Sequence, residues 1–299
     1  MLRILSTALN LDRIPLIGFG TYRHLDLAEN YNNLQHVKQA LSLALAPLTE
    51  GGLGIERKDI WITTMKVPVT SINNINALLA EVGTDYFDLL LYHYPFSMFD
   101  SKAQLKQSWI HMTEIPKATV KRIGVSNFYA SHLTKLFDVR QKLNLRIQMI
   151  NPYVFCLEKD TLDLRFKNSI QLIAYSPLGF NAAFIVLKDK VMQSLAEKLG
   201  ITTAQLTLAW LLSKSICVIS KSNNMLRQEE NFSSKDAIYN VLHFSDDTDK
   251  ISKGKDLLRS RSSPCSIISG NEEGYRFHLN FAKRGGNRRV TALAHEVWE

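Results

Sequence analysis

The chain has 299 residues, 45% of them hydrophobic and 21% charged, with a formal net charge of +8 and three cysteines. This is the composition of a globular protein long enough for a large core, not of a disordered, fibrous or disulfide-built chain. No apolar leader opens it and no apolar run reaches the ~20 residues that a membrane-spanning helix needs, so a soluble, unexported, cytoplasmic protein is expected.

Cys156, Cys217 and Cys265 lie far apart without metal-ligand spacing, so reduced thiols and no metal site are expected. Lys and Arg are scattered, and no basic block alternates with aromatics. That argues against specific nucleic-acid binding and favours a mildly cationic pocket for a phosphorylated cofactor.

In chain order, Met1–Arg13 alternates weakly around Asn10, as a hairpin would. Pro15–Phe19 and His24–Ala28 are short apolar runs joined through Gly20, Thr21 and Tyr22. Asn33–Ala46 carries Leu34, Val37, Leu41 and Leu45 at helical spacing, and Pro47 with Gly51, Gly52 and Gly54 stops it. Ile60–Val67 reads as a strand ending near Lys66, and Ile72–Val82 as a helix. Phe87–Tyr92 is a continuous apolar strand, of the kind buried on both faces in a parallel sheet, and it runs into His93.

A helix around Leu105–Met112 leads to a strand at Arg122–Val125, followed by Ser126 and Asn127. His132–Lys142 is helical, Leu145–Ile150 is a strand holding Gln148, and Thr161–Asn168 is a weak helix. Gln171–Ala174 is a strand entering Tyr175-Ser176-Pro177-Leu178-Gly179. Helices at Val191–Leu199 and Ala204–Leu212 precede a strand at Ile216–Ile219, and Met225–Tyr239 reads as a last helix. Strand and helix alternate about eight times. A single-domain (β/α)₈ TIM barrel is therefore expected over residues 1–250, with a divergent tail at 251–299. An open doubly wound sheet is the alternative, but no G-x-G-x-x-G follows the first strand.

Polar residues gather at the C-terminal strand ends, where a barrel builds its site. Asp26, Lys66 and His93 follow three different strands, with Tyr31 one loop beyond Asp26. A phenol normally releases its proton near pH 10, and a nearby ammonium lowers that value. A carboxylate keeps the ammonium in place, and an imidazole polarises a carbonyl oxygen. Together they make a general acid for a carbonyl that receives hydride. Singly, each has a plainer reading: an N-cap Asp, a surface Tyr, a strand-end Lys, a core His.

The set of motifs resembles the aldo-keto reductases. It comprises GFGTY at Gly18–Tyr22, LDLAENYNN at Leu25–Asn33, ITTMKV around Lys66 and DYFDLLLYHYP ending at Pro95. It continues with KRIGVSNF at Lys121–Phe128, IAYSPLG at Ile173–Gly179 and ISKSNNMLRQEEN at Ile219–Asn231. The resemblance runs in order from about Ile14 to Phe244. It implies a barrel, NADPH, and reduction of aldehydes or ketones to alcohols. It also implies that Tyr31 donates the proton, that Lys66 and Asp26 tune it, and that His93 orients the carbonyl.

Gly20, Thr21, Tyr22 and Asp26 match cofactor-contacting positions. Ser126, Asn127 and Gln148 resemble the groups that hold the nicotinamide carboxamide, and Tyr175 the ring that stacks on it. Ser176 and Leu178 resemble part of the pyrophosphate wrap. Lys221, Ser222 and Arg227 supply two cations and a hydroxyl for a 2′-phosphate, which favours NADPH over NADH. Glu230 and Asn231 suit the adenine. Arg227 and Glu230, three apart, are also spaced for a surface helix pair.

Some features depart from the family. Lys66 follows Asp26 by 40 residues, a longer gap than usual, and Tyr94 stands where Trp is usual. Gln148–Tyr153 is short and lacks a family His. Tyr22, His93, Tyr94 and Phe96 are expected to line a mouth for a small aldehyde. From Gly254 onward no family motif and no sustained period is found, so disorder or loose packing is expected, with a dispensable extension preferred over a lid. A monomer or weak homodimer is expected. A non-catalytic NADPH-binding barrel with a redox-sensing or structural role is the alternative function, and a phosphate-binding isomerase barrel a third.

Overall fold

The computed structural model describes residues 17–19, 24–28, 33–66, 71–94, 102–128, 132–134, 136–137, 149–151, 163–164, 167–168, 170–179, 186–238 and 241. The expected N-terminal hairpin and the tail at 251–299 lie outside these residues.

The strands are β1 (Ile17–Phe19), β2 (His24–Ala28), β3 (Trp61–Lys66), β4 (Leu89–Tyr92), β5 (Ile123–Ser126), β6 (Met149–Asn151), β7 (Gln171–Tyr175) and β8 (Cys217–Ser220). They form an 8-stranded sheet in the order β1-β8-β7-β6-β5-β4-β3-β2. Every pairing is parallel, and the first strand is bonded to the last. Helices between strands make the chain α/β: α1 (Leu34–Leu45), α2 (Ile72–Val82), α3 (Lys102–Glu114), α4 (Lys190–Lys198), α5 (Thr203–Ser213) and α6 (Met225–Ser233).

Local sequence explains the helix bounds. Leu34, Val37 and Leu41 bury one face of α1. At the start of α2 the Ser71 N–H donates to Asn74 Oδ1 at 3.2 Å, and Gly83 ends the helix with φ 76°, a left-handed value glycine adopts freely. Thr202 and Gln205 cap α5 reciprocally. α6 stops at Ser233, short of the expected Tyr239. The Ser233 hydroxyl donates to the Glu230 carbonyl at 2.9 Å, a local bond that competes with helix continuation, and turns follow.

The two faces of the sheet carry separate apolar clusters, because successive strand residues point to opposite sides. Leu27, Ile62, Leu90, Tyr92, Val125 and Val218 share one cluster with helix residues such as Leu34, Trp109 and Leu208. Ala28, Trp61, Met65, Leu91, Ile173 and Ile219 form the other, on the inner face. The FDLLLY run is thus buried on both sides, although β4 proper begins at Leu89 and Phe87 makes only a bridge to Val120.

Beside the N-terminal strand ends, a polar clamp ties three segments. Asp88 Oδ2 accepts from the Arg57 guanidinium at 3.1 Å and from the Ile62 N–H at 3.0 Å, and Oδ1 takes Lys121 Nζ at 3.5 Å. Arg57 also donates to Thr84 Oγ1 at 2.7 Å and to the Tyr86 carbonyl at 2.6 Å. Its guanidinium lies 3.8 Å from the Tyr86 ring centroid. Asp88→Ala takes the carboxylate from half-buried Arg57 and the acceptor from the Ile62 N–H, so a loss of about 1.5–3 kcal/mol is expected. Urea unfolding of the variant measures it, and a loss below about 1 kcal/mol would show the clamp to be dispensable.

Candidate active site

The C-terminal ends of β4, β5 and β7 bring four sequence-selected residues into one hydrogen-bonded group. Asn127 is its hub. It sits just past β5 with φ 61°, a left-handed conformation that Asn tolerates better than most residues. Its Nδ2 donates to the His93 carbonyl at 2.9 Å and to Ser126 Oγ at 3.2 Å. Its Oδ1 accepts from the Tyr175 hydroxyl at 2.8 Å. The group therefore spans from β4 to β7, passing over β6.

His93 is buried, and the Tyr94 ring stacks on its imidazole with centroids 4.1 Å apart. Burial drives the His93 pKa down from its ordinary 6.5 to about 4, so the ring is neutral at physiological pH. A neutral imidazole can donate one N–H to a carbonyl oxygen. Burial also pushes the Tyr94 phenol upward, so it too stays protonated.

Asp26 lies on β2 in register with Thr63 of β3. Its Oδ1 is shielded from water and has no hydrogen-bond partner among the described residues. Burial raises its carboxyl from 3.8 to about 7. On β3 the inner-face position in register with Ala28 and Leu91 belongs to Met65. The backbone of Lys66 holds the next pleat position, in register with Tyr92, whose ring packs in the outer cluster. The sequence reading passed over Met65. The signal was available in the alternation of Trp61, Thr63 and Met65.

The β7 exit forms a tight turn. Ser176 has φ 46°, and its carbonyl accepts from the Gly179 N–H at 2.9 Å. Leu178 packs against the outer core. After β8, Lys221 and Arg227 are exposed, Ser222 and Glu230 half-buried, and Asn231 buried. Asn224 caps α6, its side chain accepting from the Arg227 N–H at 3.1 Å. Gln228 Nε2 donates to the Ser222 carbonyl at 2.7 Å. These two residues shape the loop and were not singled out in the sequence; an Asn directly before a helix was the available signal. Gly20, Thr21, Tyr22, Tyr31, Phe96, Gln148 and the side chain of Lys66 lie outside the described residues.

A parallel α/β sheet with polar residues converging at its C-terminal strand ends defines a small-molecule site at that edge. The Aldo/keto reductase family matches residues 20–240, and the chain belongs to this family of oxidoreductases. It is 30% identical over 269 residues to a D/L-glyceraldehyde reductase of Hypocrea jecorina, covering 74% of this chain and 80% of the relative. A 9,11-endoperoxide prostaglandin H2 reductase of Trypanosoma cruzi is 27% identical over 259 residues, covering 84% of each. A crystal structure of an aldo/keto reductase from Brucella melitensis superimposes with a TM-score of 0.63 at 26% identity, over 78% of this chain and 95% of that one.

The Asp26 carboxyl sets a pH dependence. Unfolded, it loses its proton near pH 4; folded, it keeps it to about 7. Its contribution to stability therefore falls as pH climbs through that window. His93 acts oppositely over about pH 4 to 6.5, favouring the folded state as pH rises. Asp26→Asn is accordingly expected to gain stability over the parent at pH 8 and much less at pH 5. Urea midpoints at both values check this, and an equal or reversed difference would reveal a cation paired with Asp26.

Proposed function

We propose that the chain is an NADP(H)-dependent reductase that converts the carbonyl of small aldehydes or ketones to an alcohol, working in the cytoplasm as a monomer or weak homodimer. The β1–β8 pairing, together with the neighbouring placement of β1 and β2, supports a closed (β/α)₈ barrel as its scaffold. The observation that carries the reading is the convergence of His93, Ser126, Asn127 and Tyr175 in one hydrogen-bonded group at the strand ends.

The residues present fit a nicotinamide cofactor. Both Asn127 amide hydrogens are used within the protein, which leaves one lone pair on Oδ1. Ser126 Oγ accepts from Asn127 and keeps its own hydrogen to donate. One acceptor beside one donor matches the two ends of a primary carboxamide, with Gln148 as a further partner. Tyr175 offers a ring for stacking, and the Ser176–Leu178 turn, with Gly20, Thr21 and Tyr22, suits the rest of the dinucleotide. Lys221, Ser222 and Arg227 suit a 2′-phosphate, and Glu230 and Asn231 the adenine. When bound, the cofactor supplies the hydride.

Neutral His93 donates an N–H to the substrate carbonyl and orients it. Tyr31 gives the proton to the carbonyl oxygen, and Lys66 and Asp26 adjust its acidity. Tyr22, Tyr94 and Phe96 line an aromatic mouth. The second reading is a non-catalytic NADPH-binding barrel with a sensing or structural role. NADPH oxidation with a generic aldehyde separates the two readings.

Three substitutions test the assignments. Tyr31→Phe should lower kcat by ~10²-fold or more with NADPH binding nearly intact, the scale of general acid catalysis. If Lys66 lowers the Tyr31 pKa, Lys66→Met should move the alkaline limb of the pH–rate profile; an unmoved limb would take that role away from Lys66. Arg227→Ala should weaken NADPH by about 1.5–3 kcal/mol and NADH much less, as measured by cofactor fluorescence; equal losses would remove the 2′-phosphate assignment.

A further inference from the structure

The hub around Asn127 carries one assignment more. Stacking on a cofactor asks only for the ring of Tyr175, and a Phe would serve. Yet the Tyr175 hydroxyl donates to Asn127 Oδ1 at 2.8 Å, among the shorter side-chain bonds of the site. An amide can flip, exchanging its oxygen and nitrogen, and would then offer the His93 carbonyl an acceptor instead of a donor. The His93 carbonyl only accepts, so it selects the orientation, and the Tyr175 hydroxyl holds the amide in place from its oxygen side. That orientation ties the main chain of His93 to the ends of β5 and β7.

Resting on the reductase reading, we infer that the Tyr175 hydroxyl is a positioning group: through Asn127 it fixes the backbone from which the His93 imidazole addresses the substrate carbonyl. The ring of Tyr175 and its hydroxyl thus have separate duties. The ring faces the cofactor, and the hydroxyl orders the substrate side. Asn127 in its left-handed conformation is the joint between them. A loss of this bond removes the restraint on the oxygen side of the amide and lets Asn127, and the His93 main chain bonded to it, drift. Misplacement of a polarising group by a fraction of an ångström lowers the chemical step more than it lowers binding.

The test is a cycle of Tyr175→Phe, Asn127→Ala and the double variant, with two readouts. In the protein without cofactor, the His93 imidazole NMR signal, assigned with His93→Asn, should shift or broaden in Tyr175→Phe, while the melting temperature stays within a few degrees. In NADPH-dependent reduction of a small aldehyde, kcat should fall about five- to tenfold, with KM for the aldehyde and the Kd for NADPH changing less than about threefold. The double variant should be no slower than Asn127→Ala alone. Asn127→Asp keeps the acceptor for Tyr175 but loses the donor to His93, and should disturb the same signal. An unmoved His93 signal, or multiplicative losses in the cycle, would overturn the inference. A parent protein inactive on every aldehyde would overturn the reductase reading, and the NMR comparison would still decide whether Tyr175 positions His93.

Discussion

The pleat of the parallel sheet is the constraint from which the rest follows. Bonded partners in such a sheet share a face, and each strand alternates, so one register fixes which side chains meet across all eight strands. Trp61, Met65, Leu91, Ile173 and Ile219 fill the interior by that rule alone, and Ile62, Leu90, Val125 and Val218 meet the helices by the same rule. A single added residue in a strand exchanges the faces of everything after it. At the end of β3 this places Met65 in register with Ala28.

The two ends of the sheet are treated differently in electrostatic terms. Beside the N-terminal ends, Asp88 is met by Arg57, Lys121 and a backbone N–H, so its charge is compensated on every side. At the opposite end, Asp26 has a shielded oxygen without a partner among the described residues, and His93 is held neutral by burial. Compensated charge gives rigidity, whereas uncompensated polar groups cost stability and are retained where a ligand completes them. The division leaves one end of the parallel sheet built for strength and the other open to a ligand.

Much of the fold was legible because its signals are local. The 3.6-residue period of Leu34, Val37 and Leu41 and the unbroken FDLLLY run each specify an element without reference to distant residues. The helical end at Ser233 was not legible, because a serine hydroxyl turning back on its own helix looks the same in sequence as one facing solvent. The site divides similarly. Strand-end position singled out His93, and family likeness Ser126, Asn127 and Tyr175; the structure brings the four into one hydrogen-bonded group. Their connections, above all the Tyr175 hydroxyl reaching the Asn127 amide across the end of β6, depend on a backbone angle that sequence does not display.

The extra length between α1 and β3 has a consequence of its own. After Gly51 the chain folds back on the helix it has just left. Leu53, Gly54 and Ile55 donate to the carbonyls of Leu43, Ala46 and Ala44 at 3.0, 2.8 and 2.9 Å, so they satisfy acceptors that a helix end otherwise leaves to water. Gly52 is pressed so closely to Ala46 that a side-chain carbon there would lie 2.1 Å from its carbonyl oxygen. Proteases bind their targets as extended strands with free backbone groups. With three of its N–H groups already bonded to the helix, this segment offers a protease fewer free donors than an open loop would.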